Sequence, residues 1–249
     1  MSKNSGERSI KVVKYLLGII AVAIVYGLAT LGLLPIDFEE GNVNYNYEMT
    51  EGYEIPEYTG EEIVIINGNE PYFTKEDMKM ETFELFSELD SEGRVGKADA
   101  MLHKDMMPKD KRESIGNVTP TGWEQLTYTN GNGNTAYLYN RSHLIGHQFT
   151  GQNDNELNLM TGTRKFNHPN MSAFEDEVAS YLKDTGNKVR YRVTPAFKDG
   201  ELLARGVFME AKSVEDNSIE FNVFIHNVEE GFKINYSTGK AETSRYKVE

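Results

Sequence analysis

Hydrophobic positions along this chain fall into three regimes. Residues 15–36 carry no charge at all. About 20 consecutive apolar residues are enough for a helix to cross a bilayer, so this stretch predicts a transmembrane helix. Lys3, Arg8, Lys11 and Lys14 precede it and acidic sequence follows. That asymmetry sets residues 1–14 in the cytoplasm and everything beyond the span outside the cell. Small residues such as Gly27 and Ala29 would suit a signal peptidase, and cleavage there would release a secreted protein. The span is longer than an ordinary signal core, so a retained single-pass anchor at the cell membrane is the expectation. Residues 37–62 hold nine acidic and no basic residues. They show no periodicity and predict an extended acidic linker.

From residue 63 the pattern becomes that of a folded domain, running to residue 249. Ile63, Val64, Ile65 and Ile66 form a short apolar run ended by Asn67, Gly68 and Asn69, a strand and its stop. Thr74 can cap a short helix over residues 75–80. Residues 127–129 and 135–138 flank the turn-rich Asn130-Gly131-Asn132-Gly133-Asn134 and predict a hairpin that feeds the strand carrying His143. Phe174, Val178, Tyr181 and Leu182 recur at helical spacing and predict a helix over residues 174–182. Three strands follow over residues 188–197, 202–213 and 219–228, separated by Lys198-Asp199-Gly200 and Asp216-Asn217-Ser218. The class is α+β, an antiparallel sheet backing a hairpin and a helix.

The chemistry concentrates around Asn140-Arg141-Ser142-His143. An imidazole titrates near neutrality and can take a proton from water, which makes His143 a candidate general base. Arg141 sits two positions earlier on the same face of a strand, and a guanidinium can grip phosphate oxygens by two prongs. Asn167 offers a neutral amide oxygen. A hard divalent ion such as Mg²⁺ binds few protein oxygens, keeps several waters and shares the substrate phosphate; Mn²⁺ can substitute. These residue types together suit metal-assisted cleavage of a phosphodiester.

Residues 139–181 resemble the DNA/RNA non-specific endonuclease family, and within it the streptodornase and DNA-entry nuclease branch of secreted bacterial enzymes. The resemblance rests on Asn140-Arg141-Ser142-His143-Leu144-Ile145-Gly146, on Asn158-Leu159-Met160-Thr161-Gly162-Thr163-Arg164, on Asn167, and on Phe174-Glu175. The general family motif is Asp-Arg-Gly-His, and Asn140 and Ser142 stand in for its Asp and Gly. A softer similarity runs from about residue 63 to 239. The resemblance implies a ββα-metal fold, with His143 as general base and Asn167 as direct Mg²⁺ ligand. It implies that Asn158 organises the site and that Glu175 holds metal-bound water. Many members carry an arginine four residues after that glutamate; here the position is Ala179. The implied substrates are DNA and, with it, RNA, and the implied products end in 5′-phosphate. No protein partner is expected.

Plainer roles compete for each residue. Asn158 and Asn167 could be turn or cap residues. Ser172-Ala173-Phe174-Glu175 fits a capping box, which would give Glu175 a structural task. His147, four residues after His143, invites a zinc site, but that needs a helix and further ligands, and the chain has no cysteine. Arg112, Arg164, Arg190 and Arg192 are candidate phosphate contacts or ordinary surface charges.

Charge weighs against nucleic-acid binding. The formal net charge is −13; residues 1–14 contribute +3 and residues 37–62 −9, which leaves −7 for residues 63–249. Nucleic-acid binders usually show a basic footprint, so this domain needs either a locally basic cleft or weak, transient substrate binding. The expectation is a membrane-anchored, extracellular, metal-dependent endonuclease of low sequence preference. The rival is a surface binding module that keeps the fold without the activity.

Overall fold

The computed structural model describes residues 54–248. The expected membrane span at residues 15–36, and the linker up to residue 53, lie outside them. No helix among the described residues is long and apolar enough to cross a membrane. In chain order the strands and helices are β1 (Ile63–Ile65), β2 (Phe83–Phe86), β3 (Ala98–Leu102), β4 (Thr127–Thr129), β5 (Thr135–Tyr137), β6 (Tyr139–His143), α1 (His147–Thr150), β7 (Leu159–Thr163), α2 (Ser172–Thr185), β8 (Val189–Ala196), β9 (Gly206–Ser213) and β10 (Glu220–His226). Three two-residue strands close the chain: β11 (Lys233–Ile234), β12 (Ala241–Glu242) and β13 (Lys247–Val248).

The main sheet has six strands in the order β1-β10-β9-β8-β3-β2, all antiparallel. The expected meander of three strands is its centre. Alternation sorts its two faces. Ala100, Tyr191, Ala211 and Phe221 align across four strands on one face. Val193, Met209 and Val223 form the next row. This face packs on Val178, Ala179 and Leu182 of α2, on Phe149 of α1, and on Leu144, Ile145 and Met160 beside β6 and β7. Truncating a fully buried position such as Leu182 to alanine costs about 2–5 kcal/mol in such a core.

The other face carries a row of charge. Asp99, Arg192, Glu210 and Asn222 align across the strands. Arg190 and Arg192 both bond Asp99, and Arg192 also bonds Glu210 at 3.0 Å. Phe73 stacks on both guanidinium groups and Phe83 on Arg190, while the Tyr72 amide donates to Glu210 at 2.7 Å. These arginines are therefore buried in pairs and unavailable to a phosphate.

Two strands stand apart from that sheet. β6 and β7 form an antiparallel ribbon of their own, with His143 opposite Leu159. The hairpin β4–β5 does feed β6, as the turn residues predict, but it joins β13 in a separate three-stranded sheet over a second small core containing Tyr128, Leu138 and Tyr139. Helix α2 extends past its expected end and stops at Gly186, whose left-handed backbone (φ 71°) lets its N–H bond Leu182 O at 3.0 Å. The helix expected over residues 75–80 is a single 3₁₀ turn at Asp77–Lys79, with Thr74 Oγ1 accepting from Asp77 N.

The end of the acidic segment lies on the domain. The compact unit begins at Glu54. Tyr58 meets His226 edge-on at 5.2 Å, and the His226 amide donates to Glu62 O at 2.8 Å. The Glu62 carboxylate takes Lys165 Nζ at 2.5 Å and Asn170 Nδ2 at 3.0 Å. Hydrophobic patterning stops at residue 63, but hydrogen bonding to the domain continues upstream of it.

Candidate active site

Where the β6–β7 ribbon meets α1 and the start of α2, a cavity of about 320 Å³ opens. Arg112, His143, His147, Asn167, His168 and Glu175 are among its lining residues. His143 is the last residue of β6 and is buried, at 7% exposure. Its Nε2 lies 2.8 Å from Asn153 O. A carbonyl only accepts, so Nε2 carries the proton and Nδ1 keeps its lone pair. Arg112 Nη2 stands 3.4 Å from that Nδ1. Burial, and after it the Arg112 charge, hold the imidazole well below its usual range, at about 4. At neutral pH His143 is an uncharged imidazole.

Two asparagines fix this geometry. Asn158 is fully buried and bridges the turn after His143: Oδ1 accepts from Ile145 N at 2.8 Å and Nδ2 donates to Ile145 O at 2.9 Å. Asn153 works from the other side. Its backbone carbonyl orients the imidazole, while its side chain accepts from Glu113 N at 3.2 Å and reaches Ser114 O at 3.4 Å. The loop bearing Arg112 is thereby tied to the residue that orients His143.

Asn167 sits in a π-helical turn (Phe166–Met171) that leads straight into α2. Its side chain has no hydrogen-bond partner among the described residues. Glu175, one turn into α2, has none either. Burial, reinforced by Asp176, pushes its carboxyl up to about 8 against the opposing pull of Arg112. Its carboxylate presses on Gly146, where a Cβ would stand 2.8 Å from Oε1; any side chain there would displace it. An unpartnered amide oxygen and a carboxyl without a hydrogen-bond partner, lining one cavity, are a donor set that fits a hard divalent cation. No cluster of three His, Cys, Asp or Glu suited to a metal occurs among the described residues. An ion here would keep waters and share substrate oxygens.

The capping-box role for Glu175 is not realised. Met171 is already helical (φ −69°, ψ −46°), and no side chain caps α2. Ser172 Oγ instead lies 2.6 Å from His168 Nδ1.

A model of the DNA/RNA non-specific endonuclease family matches residues 74–215, more than half of the chain. The chain belongs to the DNA/RNA non-specific endonuclease family. It is thus a nuclease, a phosphodiester hydrolase acting on nucleic acid. The nuclease is 26% identical to NucA from Streptococcus agalactiae with magnesium ion bound, with a TM-score of 0.65 over 73% of this chain and 87% of that one. The same protein with no metal bound gives a TM-score of 0.64 at the same identity and coverage. The Sda1 nuclease with bound zinc ion is 28% identical, with a TM-score of 0.56 over 65% of this chain and 82% of that one. A divalent metal accompanies both relatives.

The nuclease brings His143, Asn167 and Glu175 to one cavity, with Asn158 behind it. Arg141 is not among the cavity's lining residues. Its guanidinium bonds the carbonyls of Val118 and Gly116 and stacks on Trp123 at 4.2 Å. Sharing a strand face with His143 is not enough, because the long side chain reaches past the site to hold the preceding loop. Arg164 likewise turns away, donating to Tyr137 O at 3.3 Å. The cavity's guanidinium is Arg112, which no motif marks, since its partner is 31 residues away. His147 opens α1 and lines the cavity, but no acid or thiol cluster completes a zinc site there among the described residues.

Proposed function

We propose that this nuclease is a magnesium-dependent endonuclease that cuts DNA, and RNA with it, with little sequence preference. The observation that carries the reading is the tautomer of His143. Its Nε2–H is committed to Asn153 O, so Nδ1 offers a lone pair toward Arg112 in the cavity shared with Asn167 and Glu175. His143 Nδ1 takes a proton from a water molecule as its oxygen bonds to phosphorus in line. The bond from phosphorus to the 3′-oxygen breaks, solvent protonates the leaving oxygen, and the new end is a 5′-phosphate. Arg112 exchanges its long contact with His143 for the non-bridging phosphate oxygens, a stronger charge-assisted pair. Asn167 and Glu175 would hold the Mg²⁺, with Mn²⁺ as a substitute. When bound, the ion supplies positive charge for the developing charge on the phosphate and leaving group. None of these contacts reads a base edge, in keeping with low sequence preference.

The full chain should convert supercoiled plasmid to nicked and then fragmented DNA, and should degrade RNA, with Mg²⁺ or Mn²⁺ but not with chelator. His143→Ala should lower turnover by about 10²–10⁴-fold, the contribution of a positioned base, with little change in melting temperature. Binding without cleavage by the unsubstituted chain would favour an inactive binding module.

The apolar, uncharged residues 15–36, behind a basic N-terminus, support a location outside the cell on a single-pass anchor. Protease added to intact cells should then release an active domain by cutting before residue 54. Recovery of all the mature protein in the medium, starting near Thr30, would make the segment a cleaved signal.

A further inference from the structure

The net charge of −7 over residues 63–249 has to be reconciled with a polyanionic substrate. Attraction must come from a local concentration of cations. Much of the positive charge is internally neutralised: Arg190 and Arg192 by Asp99 and Glu210, Lys165 by Glu62, Lys212 by Glu220. Other lysines stand singly without an ion pair among the described residues, but one segment gathers three such cations. Lys109, Lys111 and Arg112 fall within four consecutive positions that also hold Asp110; all three cations are exposed and make no ion pair among the described residues.

That segment is also held in place. At one end Pro108 lies against Gly151, the residue that ends α1, where a Cβ would stand 3.2 Å from Pro108 Cβ. At the other end Arg112 reaches His143. Past Arg112 the chain is pinned by Asn153 at Glu113 and Ser114, by Asp154 Oδ2 accepting from Asn117 at 3.0 Å, and by Arg141 at Gly116 and Val118. The two lysines therefore sit on a stretch anchored at both sides to the frame that carries the base.

Resting on the nuclease reading, we propose that Lys109 and Lys111 form a docking arm for the nucleic-acid backbone, gripping phosphates next to the one that Arg112 takes. Two residues two positions apart span at most about 7 Å of chain, a reach that suits neighbouring phosphates on one strand. Ammonium groups are point charges without a planar fork, so they hold the backbone and leave sequence unread. With Asp110 between the lysines, residues 109–112 carry a surplus of two positive charges, a small basic footprint on a domain that is acidic overall.

The test is the salt dependence of binding. The full chain carrying His143→Ala, to suppress cleavage, is titrated onto a duplex at fixed Mg²⁺ and several NaCl concentrations. Each phosphate left without its lysine should reduce the slope of log K against log salt by about 0.9 on duplex DNA. Adding Lys109→Gln and Lys111→Gln should therefore flatten it by about 1.8. Lys198→Gln with Lys240→Gln removes the same charge elsewhere, and that pair should leave the slope as it was. An unchanged slope in the arm variant, or an equal flattening in the control pair, overturns the proposal. A parent that neither binds DNA nor, with His143 intact, cuts it would sink the nuclease reading and the arm together.

Discussion

Arg112 Nη2 lies 3.4 Å from His143 Nδ1, across 31 residues of sequence. The contact is too long for a strong hydrogen bond. It sets a positive charge beside the nitrogen that the proposed mechanism uses as its base. It adds to the burial that chiefly depresses the histidine, leaves the guanidinium free to change partners, and makes the site depend on the loop that carries Arg112.

Activity should therefore persist into acid. An imidazole held at about 4 loses its lone pair only as pH falls toward that value, whereas an ordinary histidine is half-protonated near 6.5. At saturating Mg²⁺ the acid limb of kcat/KM should lie well below pH 6. Arg112→Ala removes one of the lowering causes and should move the limb upward. The folded state likewise resists protonation of His143, so that share of stability is complete above about 6.5 and fades toward pH 4. A parent limb at 6.5 or higher would contradict a buried, neutral base.

Two arginines should separate cleanly in kinetics. Arg112→Ala should cut kcat/KM by roughly 10–100-fold, a loss of about 1.4–2.7 kcal/mol of transition-state binding, with an ordinary melt. Arg141→Ala should instead lower the melting temperature, because it strips the carbonyls of Gly116 and Val118 of their donor. If Arg141→Ala gives the purely kinetic defect and Arg112→Ala the purely thermal one, the roles are reversed.

Asn167→Ala should weaken apparent Mg²⁺ affinity in a metal titration of plasmid nicking while leaving the circular dichroism spectrum unchanged. Asn167→Asp should retain the ion yet turn over more slowly, since the added charge lowers its electrophilicity. Identical metal curves for both variants and the parent would move the ligand role elsewhere.

Glu175→Gln should do two opposite things. Because burial raises this carboxyl to about 8, its contribution to metal-free stability is full below about 4.5 and lost as pH rises through 8. The neutral amide should thus melt a few degrees higher than the parent in chelator at about pH 8.5, and match it at about pH 5. With Mg²⁺ the order should invert in activity, by roughly 10–100-fold. A variant that melts lower at both pH values would make Glu175 a structural residue.

Local pattern alone brings much of the fold and site into view. The helical spacing of Phe174, Val178, Tyr181 and Leu182 does mark α2, and the turn residues at 198–200 and 216–218 do separate β8, β9 and β10. His143, Asn167 and Glu175, singled out by residue type and family motif, line one cavity. The features that pattern misses depend on partners far apart in sequence. Arg190 and Arg192 occupy outward positions of β8, but residues 72–83 come back to cover that face. Arg112 is one of four candidate arginines in the sequence, in a loop without periodicity, and bonds from the distant Asn153 and Arg141 help bring it to His143. Ser172 and Glu175 have the composition of a capping box, but a preceding turn that is already helical takes away the extended residue such a cap needs.

Glu62 gives these bonds a practical edge. Its two oxygens hold Lys165 and Asn170, one on each side of Asn167. A shortened chain cut at residue 63, where hydropathy alone draws the boundary, keeps every strand and helix described here and still loses the brace of its own Asn167 turn. Such a protein would look folded by spectroscopy and bind its ion poorly, and its weakness would be mistaken for a property of the enzyme. The useful cut lies upstream of Tyr58.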